Sequence, residues 1–81
     1  MQLSWDHIRT FHSVASHGSL LAASRHLGLT QPTVGRHIDL LEERLGFTLF
    51  TRGREGMRLT DKGSDLVATA GDMLGTAADF E

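Results

Sequence analysis

The chain has 81 residues, no cysteine, a single proline and a formal net charge of −2. That length makes one domain of modest stability, with only about 60% of the unfolded surface buried on folding. The lack of cysteine excludes disulfides and thiolate metal sites. The opening MQLSWDHIR lacks the apolar run of a signal peptide, and no stretch approaches a membrane span, so the expectation is a soluble, cytoplasmic protein with no membrane partner.

The net charge hides an asymmetry. Residues 1–62 hold all eight Lys and Arg against six acids, whereas residues 63–81 hold Asp65, Asp72, Asp79 and Glu81 and no base. An acidic tail therefore masks a mildly basic body, and local charge decides where a phosphate docks.

In chain order, Ser4 is placed to cap a first helix over 5–17, with Asp6 near its positive end. Trp5, Ile8, Phe11 and Val14 or Ala15 repeat at helical spacing, and Gly18 stops the helix. Ser19 caps a second, short helix over 20–27, with Leu20, Ala23 and Leu27 as its stripe. Gly28 ends it and Leu29 is expected to fold back onto it. Thr30 caps a third helix that ends at Gly46, with Val34, Ile38, Leu41 and Leu45 as its apolar face. Pro32 is tolerated in the first turn, where amides lack an intrahelical partner. A turn of about three residues between the second and third helices is the spacing of a helix-turn-helix. Runs over 48–51 and 57–60 flank the glycine-containing loop 52–56, which predicts a hairpin, here a wing. Thr60 then caps a fourth helix, with Leu66, Ala70, Met73 or Leu74, and Ala77 on one face. Gly71 and Gly75 each weaken that helix by about 1 kcal/mol relative to alanine. The expected fold is mainly α: a winged helix-turn-helix over 1–60, with a three-helix core and a two-stranded wing, followed by a linker or dimerisation helix over 61–81.

The front of the third helix is polar where a buried helix would be apolar. In a helix-turn-helix the N-terminal residues of the second motif helix meet base edges in the major groove. Gln31 suits N6 and N7 of adenine, Arg36 suits O6 and N7 of guanine, and Pro32 or Thr33 can rest on a thymine methyl. His37 is expected beside them as a further base-contacting residue. Thr30 and the helix N-terminus favour a phosphate, and Gly35 is small enough for close approach to the groove. Arg52, Arg54 and Arg58 give a basic wing that can reach the backbone or minor groove. Set against this is a plain capped helix start and a solvated turn.

With these residues in place, the chain resembles the DNA-binding domain of a LysR-type transcriptional regulator over about residues 3–66. The motifs are FHSVASHGSL, TQPTVGRHIDLLEERLG, LFTR and MRLTDKG. The resemblance implies that Gln31, Pro32, Thr33 and Arg36 face bases and that Thr30 and Arg52 face phosphates. It also implies a linker helix that pairs two subunits on an interrupted inverted repeat near a promoter. The chain departs from the family pattern at Leu20, where Phe is usual, at Ser24, where Ala is usual, and at Gly35, where Ser is common. Members continue into a ligand-sensing domain, so a small-molecule effector is expected to act only through a domain absent from this chain.

Two rival classes are a winged helix used for protein–protein contact and an enzyme or metal protein. The first usually lacks a positively charged recognition helix. Against the second, His7, His12, His17, His26 and His37 are never three or four apart, so no two share a helix face. No phosphate loop and no nucleophile–base–acid set is visible. The expectation is no catalysis, no metal and no cofactor, with double-stranded DNA and a second copy of the chain as partners. Leu66, Ala70, Met73, Leu74 and Ala77 are the expected antiparallel seam of that homodimer.

Overall fold

The elements run α1 (Trp5–His17), α2 (Leu20–Leu27), α3 (Gln31–Leu45), β1 (Phe50–Gly53), β2 (Gly56–Leu59) and α4 (Asp61–Asp79). This computed structural model describes residues 3–54 and 56–79, and the side chains of all of these except Met73 and 76–79.

The helix boundaries follow the capping chemistry. Ser19 accepts the Ala22 amide at 3.0 Å, Thr30 the Thr33 amide at 3.4 Å, and Thr60 the Gly63 amide at 3.0 Å. Each hydroxyl satisfies a first-turn amide that has no carbonyl partner. Ser4 departs from expectation. Its backbone is extended, but its side chain makes no cap hydrogen bond. Gly28 adopts φ 69°, which a side chain would oppose, and the Leu29 amide bonds the Ser24 carbonyl at 3.0 Å. That turn delivers the chain directly to Thr30. Leu29 forms the backbone bond expected of a residue after the glycine, but its side chain stays 37% exposed.

The core is assembled where α1, α2 and α3 meet the root of the wing. Ile8, Phe11 and Val14 come from α1, Ala23 from α2, and Val34, Ile38 and Leu41 from α3. Trp5, expected to continue the α1 stripe, is instead 37% exposed. Leu49 and Phe50 complete the core, the Phe50 ring lying 5.6 Å from that of Phe11.

The wing strands pair antiparallel, from Phe50 opposite Leu59 to Gly53 opposite Gly56. They begin and end nearer the tip than the sequence runs suggest, because Leu49 is held by α3. The Glu42 carboxylate accepts its amide at 2.6 Å and the Phe50 amide at 3.4 Å. The Thr60 amide bonds the Leu49 carbonyl at 2.9 Å, and the Thr60 hydroxyl donates to Thr48 at 2.8 Å. The predicted five-residue loop therefore shrinks to two residues, one of which, Glu55, lies outside the described residues.

The first half of α4 belongs to the body. Ala70 is 2% exposed, and Leu66 and Val67 pack against the core. This corrects the expected dimer seam: Leu66 and Ala70 are used within the subunit, because α4 lies against α1. Gly63 permits that packing, since a Cβ there would collide with the Leu49 carbonyl and sit 3.0 Å from Leu59 Cδ2. Leu74 is half-buried beside α1. Met73 and Ala77, the other seam residues, lie outside the described side chains.

Candidate nucleic-acid interface

Two faces of α3 have different duties. Val34, Ile38 and Leu41 are buried, which turns Gln31, Pro32 and Arg36 outward as exposed side chains at the helix N-terminus. Thr33 is half-buried, and its hydroxyl lies 2.8 Å from that of Thr30. Thr30 is thus both the cap and a neighbour of the outward face. Arg36 makes no hydrogen bond or ion pair among the described residues. Unpaired amides and the helix dipole make this end of α3 electropositive.

Two residues assigned to this face are turned elsewhere. Gly35 is half-buried on the α2 side, where an added Cβ would meet Leu20 Cδ1 at 3.9 Å, an ordinary contact distance. His37, expected beside Arg36 against bases, is half-buried on the α1 side, and its Nδ1 lies 2.8 Å from the Thr10 hydroxyl. The Thr10 side chain is itself buried. The reason is position on the helix: residue 37 flanks the buried stripe through Leu41, whereas residue 36 lies opposite it.

The His7 ring lies 4.7 Å from the His37 ring. Burial, aided by the nearby His37 and Arg44, holds His7 below the ordinary imidazole pKa, with Asp6 opposing them. Separation along the sequence gave no sign of this pair, or of His17 and His26 at 4.9 Å. Each pair joins two helices. Among the described residues no group of three His, Cys, Asp or Glu is placed to hold a metal ion.

The wing arginines are sorted by the register. Arg52 is on the same face as Phe50 and so points back towards α3. Its Nη2 lies 2.5 Å from Asp39 Oδ1 and 3.9 Å from Glu42 Oε1. Arg54, at the tip, and Arg58, opposite Thr51 on the outer face, are exposed without an ion-pair partner among the described residues. Sequence reasoning grouped Arg58 with the basic wing but did not assign it to the backbone. Strand alternation was the available signal, but it needed the register. It also missed Glu42 as the residue that fixes the wing, although Glu42 lies in the quoted recognition-helix motif.

The arrangement is an exposed electropositive helix end beside a basic hairpin, with an acidic pair, Asp39 and Glu43, further along the same helix face. No described helix is long and apolar enough to cross a membrane.

The family model described as bacterial regulatory helix-turn-helix protein, lysR family, matches residues 5–64. The chain is similar to the small neutral protease regulatory protein of Streptomyces coelicolor, 39% identical over 74 residues, covering 91% of this chain and 23% of that protein. It is similar also to the HTH-type transcriptional regulator PtxR of Pseudomonas aeruginosa, 40% identical over 73 residues, covering 90% of this chain and 23% of PtxR. The chain thus spans roughly a quarter of the length of these curated relatives. Among solved structures, the CbnR DNA-binding domain in complex with DNA superposes with a TM-score of 0.89 at 30% identity, covering 94% of this chain and 87% of that one. The BenM DNA-binding domain on benA site 1 DNA gives a TM-score of 0.90 at 30% identity, covering 95% of this chain and 90% of that one.

Proposed function

This chain belongs to the lysR family of bacterial regulatory helix-turn-helix proteins as a DNA-binding domain, and on that premise we propose that it reads a promoter sequence through the N-terminal end of α3. Gln31, Pro32, Thr33 and Arg36 meet base edges in the major groove. Thr30, Arg54 and Arg58 meet the phosphate backbone. Arg52 turns from Asp39 to a phosphate when DNA arrives. His37 orients α3 on α1 through Thr10 and leaves base reading to Arg36.

The observation that supports this reading most is Arg36, exposed and unpaired among the described residues on the one open face of α3. A second copy of the chain, paired through the outer part of α4, would place two such helices on an interrupted inverted repeat. The acids of α4 keep that helix off the phosphates. The protein so read is a cytoplasmic regulator without catalytic activity.

Selection of bound duplexes from a random pool tests the proposal. An inverted repeat should be enriched. If each subunit meets about three or four phosphates, log K against log salt should fall with a slope near −5 to −7. A pool that stays random, or binding indifferent to salt, would overturn it.

A further inference from the structure

A cavity of about 520 Å³ opens between α1, α2 and the second half of α4, away from the α3 end and the wing. Its polar wall is unusual in three respects. Arg9 is exposed and makes no hydrogen bond or ion pair among the described residues. Ser13 is 4% exposed, yet its hydroxyl has no hydrogen-bond partner. Buried polar atoms are nearly always paired, so this hydroxyl is a donor available to a group or ordered water bound beside it. Three imidazoles gather from two helices: His12 and His17 from α1, and His26 from α2. Facing them are apolar surfaces, the half-open Trp5 indole, Leu27 and Leu74. Among the described residues no carboxylate lines the cavity.

This chemistry selects a class of ligand. A guanidinium fork matches a carboxylate with two parallel hydrogen bonds, imidazoles and a hydroxyl can donate further ones, and the apolar wall accepts a hydrocarbon body. We propose that the cavity binds a small organic anion, its carboxylate held by Arg9, His12 and Ser13 and its apolar body resting against Trp5 and Leu74. None of these residues is on α3 or the wing, so the site is separate from the DNA-reading face. An occupant would join α4 to α1 and α2. A metabolite-sized anion would then act on the DNA-binding domain directly.

Trp5 is the only tryptophan in the sequence and lies in the cavity wall, so its fluorescence reports occupancy. The probe is 3-phenylpropionate, titrated into the intact chain, with 3-phenylpropionamide as a neutral match of the same shape. The expected result is a saturable change with the acid and binding of the amide weaker by roughly tenfold or more. Arg9→Gln should weaken acid binding by a similar factor, whereas Arg25→Gln, the same charge change outside the cavity, should leave it unaltered. Ser13→Ala separates ligand binding from folding. Losing a hydroxyl with no partner should leave the melting temperature unchanged or raised, while binding of the acid weakens. Equal binding of acid and amide would overturn the proposal, as would equal losses from the two arginine variants. So would acid binding that weakens as protein concentration rises, which would assign the cavity to a second copy of the chain.

Discussion

Asp39→Asn should tighten DNA binding while barely changing stability. Arg52 Nη2 sits 2.5 Å from Asp39 Oδ1, but the two side chains are 46% and 61% exposed. An ion pair so open to solvent contributes about 0–1 kcal/mol to folding. The melting temperature should therefore fall by less than about 4–8 °C, the shift that 1 kcal/mol produces in a domain this small. DNA responds differently. Asp39 lies on the exposed side of α3, one turn beyond Arg36, where its carboxylate repels phosphates. At about 8 Å in screened water that repulsion is a few tenths of a kcal/mol per phosphate. The substitution also releases Arg52. Because Arg52 meets a phosphate with or without Asp39, the slope of log K against log salt should change by less than about 1 per subunit while affinity rises. Fluorescence anisotropy on a selected duplex and on a random one, between about 50 and 200 mM salt, measures affinity and slope together. Thermal melts supply the stability. Binding weakened by Asp39→Asn would refute the reasoning: the pair would then act by fixing the wing against α3.

Gly63→Ala should destabilise the domain by about 1–3 kcal/mol or more, because the new methyl meets the Leu49 carbonyl, and a urea titration would show it as a lower midpoint. Ile38→Ala should cost about 2–5 kcal/mol through the cavity it leaves in the core, and a variant that melts like the parent but binds DNA poorly would mean that the faces of α3 are reversed. Glu42→Ala strips the acceptor from the Leu49 and Phe50 amides, so a loss of about 1–3 kcal/mol is expected, with amide hydrogen exchange accelerating first at the wing root. His7 is held below the ordinary imidazole pKa, so the unfolded chain takes up its proton first as pH falls. Stability should therefore decline as pH drops below about 6.5 towards the folded value, and His7→Gln should flatten that decline in melts between about pH 5 and 8.

The element boundaries were legible because caps and glycines are local chemistry. Ser19, Thr30 and Thr60 each hold the amide expected of them, and Gly18, Gly28 and Gly46 end their helices. The outward placement of Gln31, Pro32 and Arg36 was legible too, since helical periodicity fixes what stands opposite Val34, Ile38 and Leu41. What the sequence hid depends on contacts between elements. Arg52 pairs with Asp39 because of the wing register, and His37 meets Thr10 because α3 packs on α1. Leu66 and Ala70 looked spare only because nothing local says that α4 lies against α1. The histidine pairs escaped for the same reason: spacing within one helix cannot reveal a neighbour on the next.

Arg36→Ala, measured on a selected duplex and on a random duplex at one fixed salt concentration, tests the central claim most directly. Arg36 is exposed on α3 and unpaired among the described residues, and the account gives it a base edge to read. Specific binding should weaken by about 1–3 kcal/mol, while random-duplex binding falls much less. An equal loss on both duplexes would contradict the account, since Arg36 would then meet only phosphate and α3 would not be reading sequence through it.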